Sequence, residues 1–260
     1  MLRDLLNAVP TSVLAAVVCA VGVAASVGAV VAARRWIPGL SEGAERETTP
    51  AILGVLATMV GLLLAFSVVV QYQAFVAATD NARSEATHLA QLVRDARSFD
   101  RKGRTDVQTA AVSYAGAVGA DEWRTMRHGQ SSDVAAARLD SLFGALQSVE
   151  PRTKAQVAFY GDAVQQLGAV VERRRARLDR AQDGPPGLLL VLILLGAAVM
   201  LGYSALVGAV RRGFHVVGSA SVALVVCLLV VLFVALSYPF SGDIAVVPGV
   251  FHEGALRVGR

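Results

Sequence analysis

The chain has 260 residues, of which 55% are hydrophobic, and its mean hydropathy is +0.55. This apolar excess is too large for an ordinary soluble domain and predicts several membrane spans. The formal net charge is only +4, and no basic stripe interleaved with aromatic residues is present, which argues against a nucleic-acid-binding protein. The two cysteines lie inside apolar runs, so they are predicted to be packing residues and not a disulfide framework.

The first predicted span covers residues 13–33, an apolar run that ends in Arg34-Arg35. A signal peptide would have a shorter apolar core and a cleavage site before polar sequence, so we expect this segment to be retained. A short polar loop follows, in which Pro38 and Gly39 break the helix.

A single long helix from Thr48 to Phe99 organises the rest of the chain. Thr48, Thr49 and Pro50 are typical of a helix start, since a hydroxyl can cap the helix and proline suits its first position. Residues 51–70 are apolar all round, which predicts a second membrane span, whereas residues 71–99 become amphipathic. The stripe of this second part has the three/four spacing of a packed helix: Ala82, Glu85, Ala86, Leu89, Leu92, Val93, Ala96 and Phe99.

Three further amphipathic helices are predicted in the polar insert that ends at Asp183. One begins at Thr105, because Thr105 and Gln108 have the spacing of a capping box, and another begins at Pro151. The three apolar stripes are Val107, Ala111, Tyr114 and Val118; Ala135, Leu139, Leu142, Leu146 and Val149; and Val157, Tyr160, Val164, Leu167 and Val171. Together with the long helix, they predict an antiparallel bundle.

The predicted fold is therefore all-α, with four membrane helices and a soluble helical bundle inserted between the second and the third. The predicted domains are residues 1–75 with spans one and two, 76–183 with the bundle, 184–237 with spans three (188–210) and four (214–236), and 238–260 as a short tail. The central parts of the spans carry no Asp, Glu, Lys, Arg or His, which argues against a proton-driven transporter.

The distribution of arginines predicts the orientation of the chain in the membrane. More arginines lie near span ends on the side of the bundle and both termini than on the side of the short loops. We therefore expect a multi-pass protein of the plasma (inner) membrane with a cytoplasmic bundle and cytoplasmic termini. The pairs Arg34-Arg35 and Arg211-Arg212 flank the short loops and favour the opposite orientation.

Three motifs, in this order along the chain, resemble the DUF4239 (bestrophin-like domain) family of bacterial membrane proteins. They are Ala82-x-x-Glu85-Ala86-x-x-Leu89, then Tyr114 followed by Asp121-Glu122-Trp123, then Tyr238-Pro239-Phe240-Ser241-Gly242-Asp243-Ile244. By extension from bestrophins, the resemblance implies a homopentameric anion channel with a cytosolic helical domain and a pore lined by the second span. On that span the candidate pore-lining residues are Thr58, Leu62, Phe66 and Val70. They are divided between two neighbouring faces of the helix, and the sequence does not choose between these faces.

Two motifs in the insert each allow a functional and a structural interpretation. Glu85 and His88 have the Glu-x-x-His spacing of di-iron bundles, which need a second such motif; otherwise they form a polar patch on the bundle or at an oligomer contact. Asp121 and Glu122 are either an ion or partner site, or they pair with Arg124 or Arg127 while Trp123 packs across the bundle end. We expect neither a metal nor any other cofactor.

A cluster of arginines precedes span three: Arg173, Arg174, Arg175, Arg177 and Arg180. It is interpreted either as a binding surface for the headgroups of anionic lipids or as a solvated determinant of topology. No catalytic motif is present, so we do not expect an enzyme. The two functional hypotheses are a bestrophin-like oligomeric anion channel and a non-conducting membrane protein whose bundle binds an unidentified partner or senses the membrane.

Overall fold

The computed structural model describes residues 2–36, 45–206, 212–253 and 256. Parts of the predicted loop at 34–49, of the turn at 211–213, of span three and of the tail lie outside the described residues. The helices are α1 (Leu2–Ala8), α2 (Thr11–Trp36), α3 (Glu45–Asp95), α4 (Arg101–Ala117), α5 (Trp123–Met126), α6 (Asp133–Gln147), α7 (Lys154–Gln182), α8 (Gly187–Leu206) and α9 (Arg212–Leu236). Because the described residues contain no strand, the all-α prediction is confirmed for them.

The chain folds into two compact units, and α3 contributes to both. Unit 1 consists of Met1–Asn7, Phe75–Asp183 and Tyr238–Arg260, and unit 2 of Ala8–Ala74 and Gly184–Ser237. The long helix predicted to continue past Gln71 does so without a break, and it begins at Glu45, three residues before the predicted start.

Unit 2 contains the predicted membrane helices. Four helical segments are long and apolar enough to cross a membrane: Thr11–Ala33, His215–Leu236, and apolar stretches within Ala51–Ser98 and Lys154–Ala205. Helix α9 packs against α2 and α8. The core between α3, α8 and α9 includes Leu64, Ile193, Met200, Val226 and Phe233. The described residues therefore contain four candidate membrane helices, as the sequence predicts.

In unit 1, three of the four predicted stripes are buried. Every residue of these three stripes is buried. They are the eight on α3 and just after it, the four on α4 and the π-helical turn that follows, and the five on α6 and just after it. Helix α4, however, begins at Arg101, before the predicted Thr105. The carboxylate of Asp100 accepts a hydrogen bond from the N–H of Gly103 and caps this earlier start, whereas the Thr105 hydroxyl donates to the Arg101 carbonyl.

The stripe predicted for α7 is partly wrong. Val157 and Val164 are 56% and 46% exposed, and the buried residues of the helix are Ala163, Leu167, Val170, Arg177 and Ala181. The helix also begins after the predicted Pro151, because Thr153 and Gln156 form a capping box at its N-terminus. The inward face is rotated from the valine face because it carries Arg177, whose charged partners lie inside unit 1.

Candidate functional site

A network of charged side chains lies in the interior of unit 1. Glu85 comes from α3, Tyr114 from α4, Glu122 from the turn after α4, and Arg174 and Arg177 from α7. The side chains of Glu85, Glu122 and Arg177 have no solvent exposure, and that of Arg174 is 13% exposed. Buried charges are costly unless they are paired, so the hydrogen bonds of this network determine whether it is stable.

Arg177 binds both carboxylates of the network. Its Nε donates to Oε2 of Glu85 at 2.7 Å, and its Nη2 donates to Oε1 of Glu85 at 3.0 Å and to Oε2 of Glu122 at 2.7 Å. Its Nη1 lies 2.8 Å from the sulfur of Met126. The planar guanidinium thus links α3 to the turn after α4 through two ion pairs, one of them bidentate.

Arg174 and Tyr114 donate further hydrogen bonds to the same two carboxylates. Arg174 donates from Nη2 and Nε to Oε1 of Glu122, at 2.5 and 3.1 Å. The Tyr114 hydroxyl donates to Oε1 of Glu85 at 2.7 Å. Two guanidinium groups therefore balance two carboxylates, and the network needs no bound ion to be neutral.

A π-helical turn at Val118–Glu122 positions the acidic end of this network. The turn continues α4 and passes directly into α5, which begins at Trp123. Glu122 and Trp123 are both buried, although neighbouring residues of a helix point in different directions. A π turn is a rare local widening that is frequent at functional sites. Here it provides a buried carboxylate and a buried indole in succession.

Aromatic side chains from the tail cover the network. The Trp123 ring lies 5.7 Å from the ring of Phe240 and 5.8 Å from that of Phe251, and its Nε1 donates to the Val246 carbonyl at 2.8 Å. The guanidinium carbon of Arg177 is 5.2 Å from the Trp123 ring centre and 5.8 Å from that of Phe251. These cation–π contacts add to the ion pairs and exclude water from them.

The pKa shifts of the network reflect this pairing. Burial alone would raise the pKa of Glu122, but the neighbouring Arg177 and Arg174 bring it below its ordinary value. Burial and the adjacent Glu85 raise the pKa of Tyr114 well above its usual range. Burial opposes the charge of Arg177, but Glu85 and Glu122 raise its pKa, so this residue stays cationic.

The outward face of α3 in unit 2 is a second candidate site. The four candidate pore-lining residues Thr58, Leu62, Phe66 and Val70 are all exposed, and Phe66 is 62% exposed. Leu64 and Ser67, in contrast, face inward. The face thus presents large apolar side chains with one hydroxyl, which itself donates to the Gly54 carbonyl within the helix.

The sequence matches the model of the Bestrophin-like domain over residues 20–251. The chain belongs to the bestrophin-like domain family. Its fold is similar to that of a bacterial bestrophin homologue from Klebsiella pneumoniae. A crystal structure of a single-substitution variant of that protein has a TM-score of 0.72 at 14% identity, with 94% of this chain and 96% of the other covered. Another, phased on zinc, has a TM-score of 0.69 at 16% identity, with 92% and 95% covered.

A crystal structure of a membrane protein variant is also similar, with a TM-score of 0.70, 16% identity, and coverage of 92% of this chain and 96% of the other. No curated protein matches the sequence. Structural similarity at such low sequence identity shows a shared fold only. The family assignment therefore depends on the match to the Bestrophin-like domain. The bestrophin-like family and the four apolar helices together indicate a membrane protein.

The motif residues of this bestrophin-like chain converge in unit 1. Glu85, Tyr114, Glu122, Trp123 and Phe240 belong to the network or to its aromatic cover. Two further motif residues shape the tail. The Pro239 carbonyl accepts from the Val246 N–H at 2.8 Å, and Gly242 has a φ of +80°, which disfavours any side chain there. The Gly242 N–H donates to Oδ1 of Asn7, which joins the tail to α1.

Glu85 and His88, the candidate metal ligands, both have protein partners in the structure. Both oxygens of Glu85 accept hydrogen bonds from protein groups, and Nδ1 of His88 is 2.7 Å from Oε1 of Gln166. Within the described part of the chain, no group of three or more His, Cys, Asp or Glu side chains could hold a metal ion. The polar patch on the bundle or at an oligomer contact stays a prediction, although Glu85 itself is fully buried in unit 1.

The structure also changes the interpretation of the other charged motifs. Asp121 pairs with Arg124 as predicted, at 3.0 Å, but Glu122 pairs with Arg174 and Arg177. These two arginines were predicted to be solvated or to bind lipid headgroups. Their guanidinium groups pair instead with the buried carboxylates of Glu85 and Glu122.

Asp95, near the far end of α3, is a buried acid outside the network. It is 3% exposed, its Oδ1 accepts from Gln91, and its Oδ2 has no hydrogen-bond partner among the described residues. Burial and the nearby Asp162 raise its pKa, against the opposing effects of Gln91 and Arg94. Because the pKa of Asp95 is raised, the folded state binds this proton more tightly than the unfolded state does. The free energy of unfolding therefore falls as the pH rises from the ordinary pKa of aspartate to the raised pKa in the folded protein.

We therefore expect Asp95→Asn to stabilise the protein at neutral pH by about 1 kcal/mol. The gain should shrink as the pH falls below the ordinary pKa of aspartate, near 4, because the wild-type carboxyl is then neutral in both states. Chemical unfolding in detergent between pH 3.5 and 7.5 measures this effect. Asp140→Asn, at an exposed position of α6, serves as the control. Equal behaviour of the two variants would contradict the assignment of a destabilising buried charge.

Proposed function

We propose that this bestrophin-like protein assembles into an oligomeric anion channel whose pore is lined by the outward face of α3. The family assignment and the uncharged centres of the membrane helices support this function. A pore that is gated by apolar side chains needs no intramembrane charge. The narrower assignment to DUF4239 and the homopentameric state are part of the same proposal.

The observation that carries the proposal is the exposure of large apolar residues along one side of a membrane helix. Leu62, Phe66 and Val70 are 55%, 62% and 56% exposed, and they follow one another at four-residue intervals. At 1.5 Å per residue, each interval advances about 6 Å along the helix axis. Several copies of α3 arranged around a common axis would enclose a narrow apolar passage with Thr58 at one level.

The proposed placement is the plasma membrane, with the bundle and both termini in the cytoplasm, as the arginine distribution favours. Arg173, Arg175 and Arg180 remain candidates for contact with anionic lipids, each contributing about 1 kcal/mol near a charged surface. Arg180 also lies 3.9 Å from the carboxylate of Asp183.

Purified protein reconstituted into liposomes tests the channel. We expect anion flux above that of empty vesicles under at least one combination of voltage and calcium concentration. The oligomeric state, measured in lipid nanodiscs or a mild detergent, should exceed a dimer. A complete absence of flux in vesicles that contain the oligomer would contradict the proposed function.

One observation favours the rival function of a non-conducting membrane protein that binds a partner. Helix α7 presents two uncovered apolar side chains on one face at the surface of unit 1, Val157 and Val164, which are 56% and 46% exposed. Apolar faces of this kind are frequent at protein interfaces. A monomer or dimer in the sizing experiment would support this rival, because the proposed pore needs several copies of α3 around a common axis.

A further inference from the structure

Helices α2 and α9 in unit 2 each carry one of the two cysteines of the sequence, Cys19 and Cys227. Both thiols are free, with Cys19 buried and Cys227 half-buried. The two helices pack against each other. The position of each cysteine along this contact therefore determines whether the sulfurs meet.

The register of the two helices places the cysteines opposite each other. The hydroxyl of Ser26 donates to the carbonyl of Ser219 at 3.3 Å, which fixes one point of contact. Because the helices are antiparallel, moving seven residues back along α2 to Cys19 corresponds to moving about eight residues forward along α9 to Cys227. At 1.5 Å per residue, the two displacements are roughly 10.5 and 12 Å.

Gly22 provides an independent sign of this proximity. A Cβ added to Gly22 would collide with the sulfur of Cys227, so this sulfur lies directly against the backbone of α2. Residues three apart on a helix share a face, with roughly 5–6 Å between their Cβ atoms, so Cys19 lies one turn from the same point.

We propose that Cys19 and Cys227 are a redox modification site, which closes to a disulfide between α2 and α9 within one chain. A lipid-soluble diazene that carries electron-withdrawing groups, such as diamide, can supply the oxidising equivalent. The sulfur of Cys227 adds to the N=N bond, and the sulfur of Cys19 then displaces the nitrogen to form the S–S bond. Two electrons and the two thiol protons pass to the diazene, which leaves as a hydrazine.

This site revises the interpretation of the cysteines as packing residues only. The half-buried Cys227 is the sulfur that meets the oxidant, and the buried Cys19 resolves the adduct, a division of roles that follows from their exposure. The disulfide would fix α2 and α9 against sliding or separation. The inference does not depend on ion conduction, and its test uses no flux measurement.

The test is a thiol count on the full-length protein in lipid vesicles. After treatment with diamide, the protein is denatured under non-reducing conditions and labelled with a large polyethylene glycol maleimide. We expect two additions per chain before oxidation, none after it, and two again after reduction with dithiothreitol. Persistence of two additions after oxidation would overturn the proposal, as would a disulfide that links two chains on a non-reducing gel.

A matched variant tests whether the disulfide needs the particular positions of Cys19 and Cys227 or only two thiols in the chain. In the Cys227→Ala background, Val225→Cys restores a second thiol two residues away, at a position that is 55% exposed and points to another side of α9. We expect this variant to keep both additions after the same treatment, whereas Cys19→Ser alone should show one addition throughout. Equal loss of label in the displaced variant would show that the register does not matter and would refute the site.

Discussion

Replacing Arg177 with methionine is expected to lower the free energy of unfolding by about 3–5 kcal/mol. Methionine fills much of the same volume but cannot donate a hydrogen bond, so Glu85 loses two bonds and Glu122 loses one in a site without solvent contact. Chemical denaturation in detergent measures the loss. In a Trp36→Phe background, the fluorescence of Trp123 reports on this region alone, since the sequence has only two tryptophans.

Arg175→Met is the matched control, because Arg175 lies on the same helix with an exposed side chain, and we expect a change within about 0.5 kcal/mol. Arg177→Lys keeps the charge but not the planar fork, so it should fall between the two. If Arg177→Met does not fold, a combined Glu85→Gln and Arg177→Met variant removes one charge of each sign and should recover part of the stability. Equal effects of Arg177→Met and Arg175→Met would contradict the assigned role of the network.

Phe66→Ala is expected to raise anion flux through reconstituted protein about tenfold, which corresponds to a barrier lower by about 1.4 kcal/mol. In the proposed channel, Phe66 is the largest apolar group on the pore face, and it restricts the passage by both size and dewetting. The initial rate of anion efflux from vesicles, normalised to the protein incorporated, measures this effect.

Leu195→Ala in α8 provides the control for Phe66→Ala. Leu195 is 58% exposed, close to the 62% of Phe66, but it lies outside the proposed pore face. We expect its flux to match that of the unmodified protein. Unchanged flux in Phe66→Ala, or an equal rise in both variants, would remove α3 from the lining of the pore without deciding whether the protein conducts.

The sequence predicted the elements whose pattern is local. The continuity of α3 past Gln71 follows from good helix formers and the absence of proline, and the inward stripes of α3, α4 and α6 follow from strict three/four spacing of apolar residues. Glu85 was correctly placed on the inward stripe although it is charged. This placement was a signal that a buried partner of opposite charge had to exist elsewhere in the chain.

The sequence could not identify that partner, because the pairing depends on residues that lie far apart in the chain. Five arginines within eight residues resemble a solvated cluster, yet Arg174 and Arg177 continue the inward spacing of Ala163, Leu167 and Val170 on α7. The predicted stripe instead includes Val157 and Val164, which are apolar but exposed. The ion pairs with Glu85 and Glu122 decide which face of α7 turns inward.

Unit 1 is built from segments that are far apart in the chain, so its buried network is completed late in synthesis. Glu85, Glu122 and Arg177 are translated before α8 and α9, but Phe240, Val246 and Phe251 are translated after them. Until they arrive, the indole of Trp123 lacks its carbonyl acceptor and the guanidinium of Arg177 lacks part of its aromatic cover. The cover of the network can therefore be completed only after α9 has been synthesised, and nascent chains halted before residue 240 should be more sensitive to proteases than the full chain.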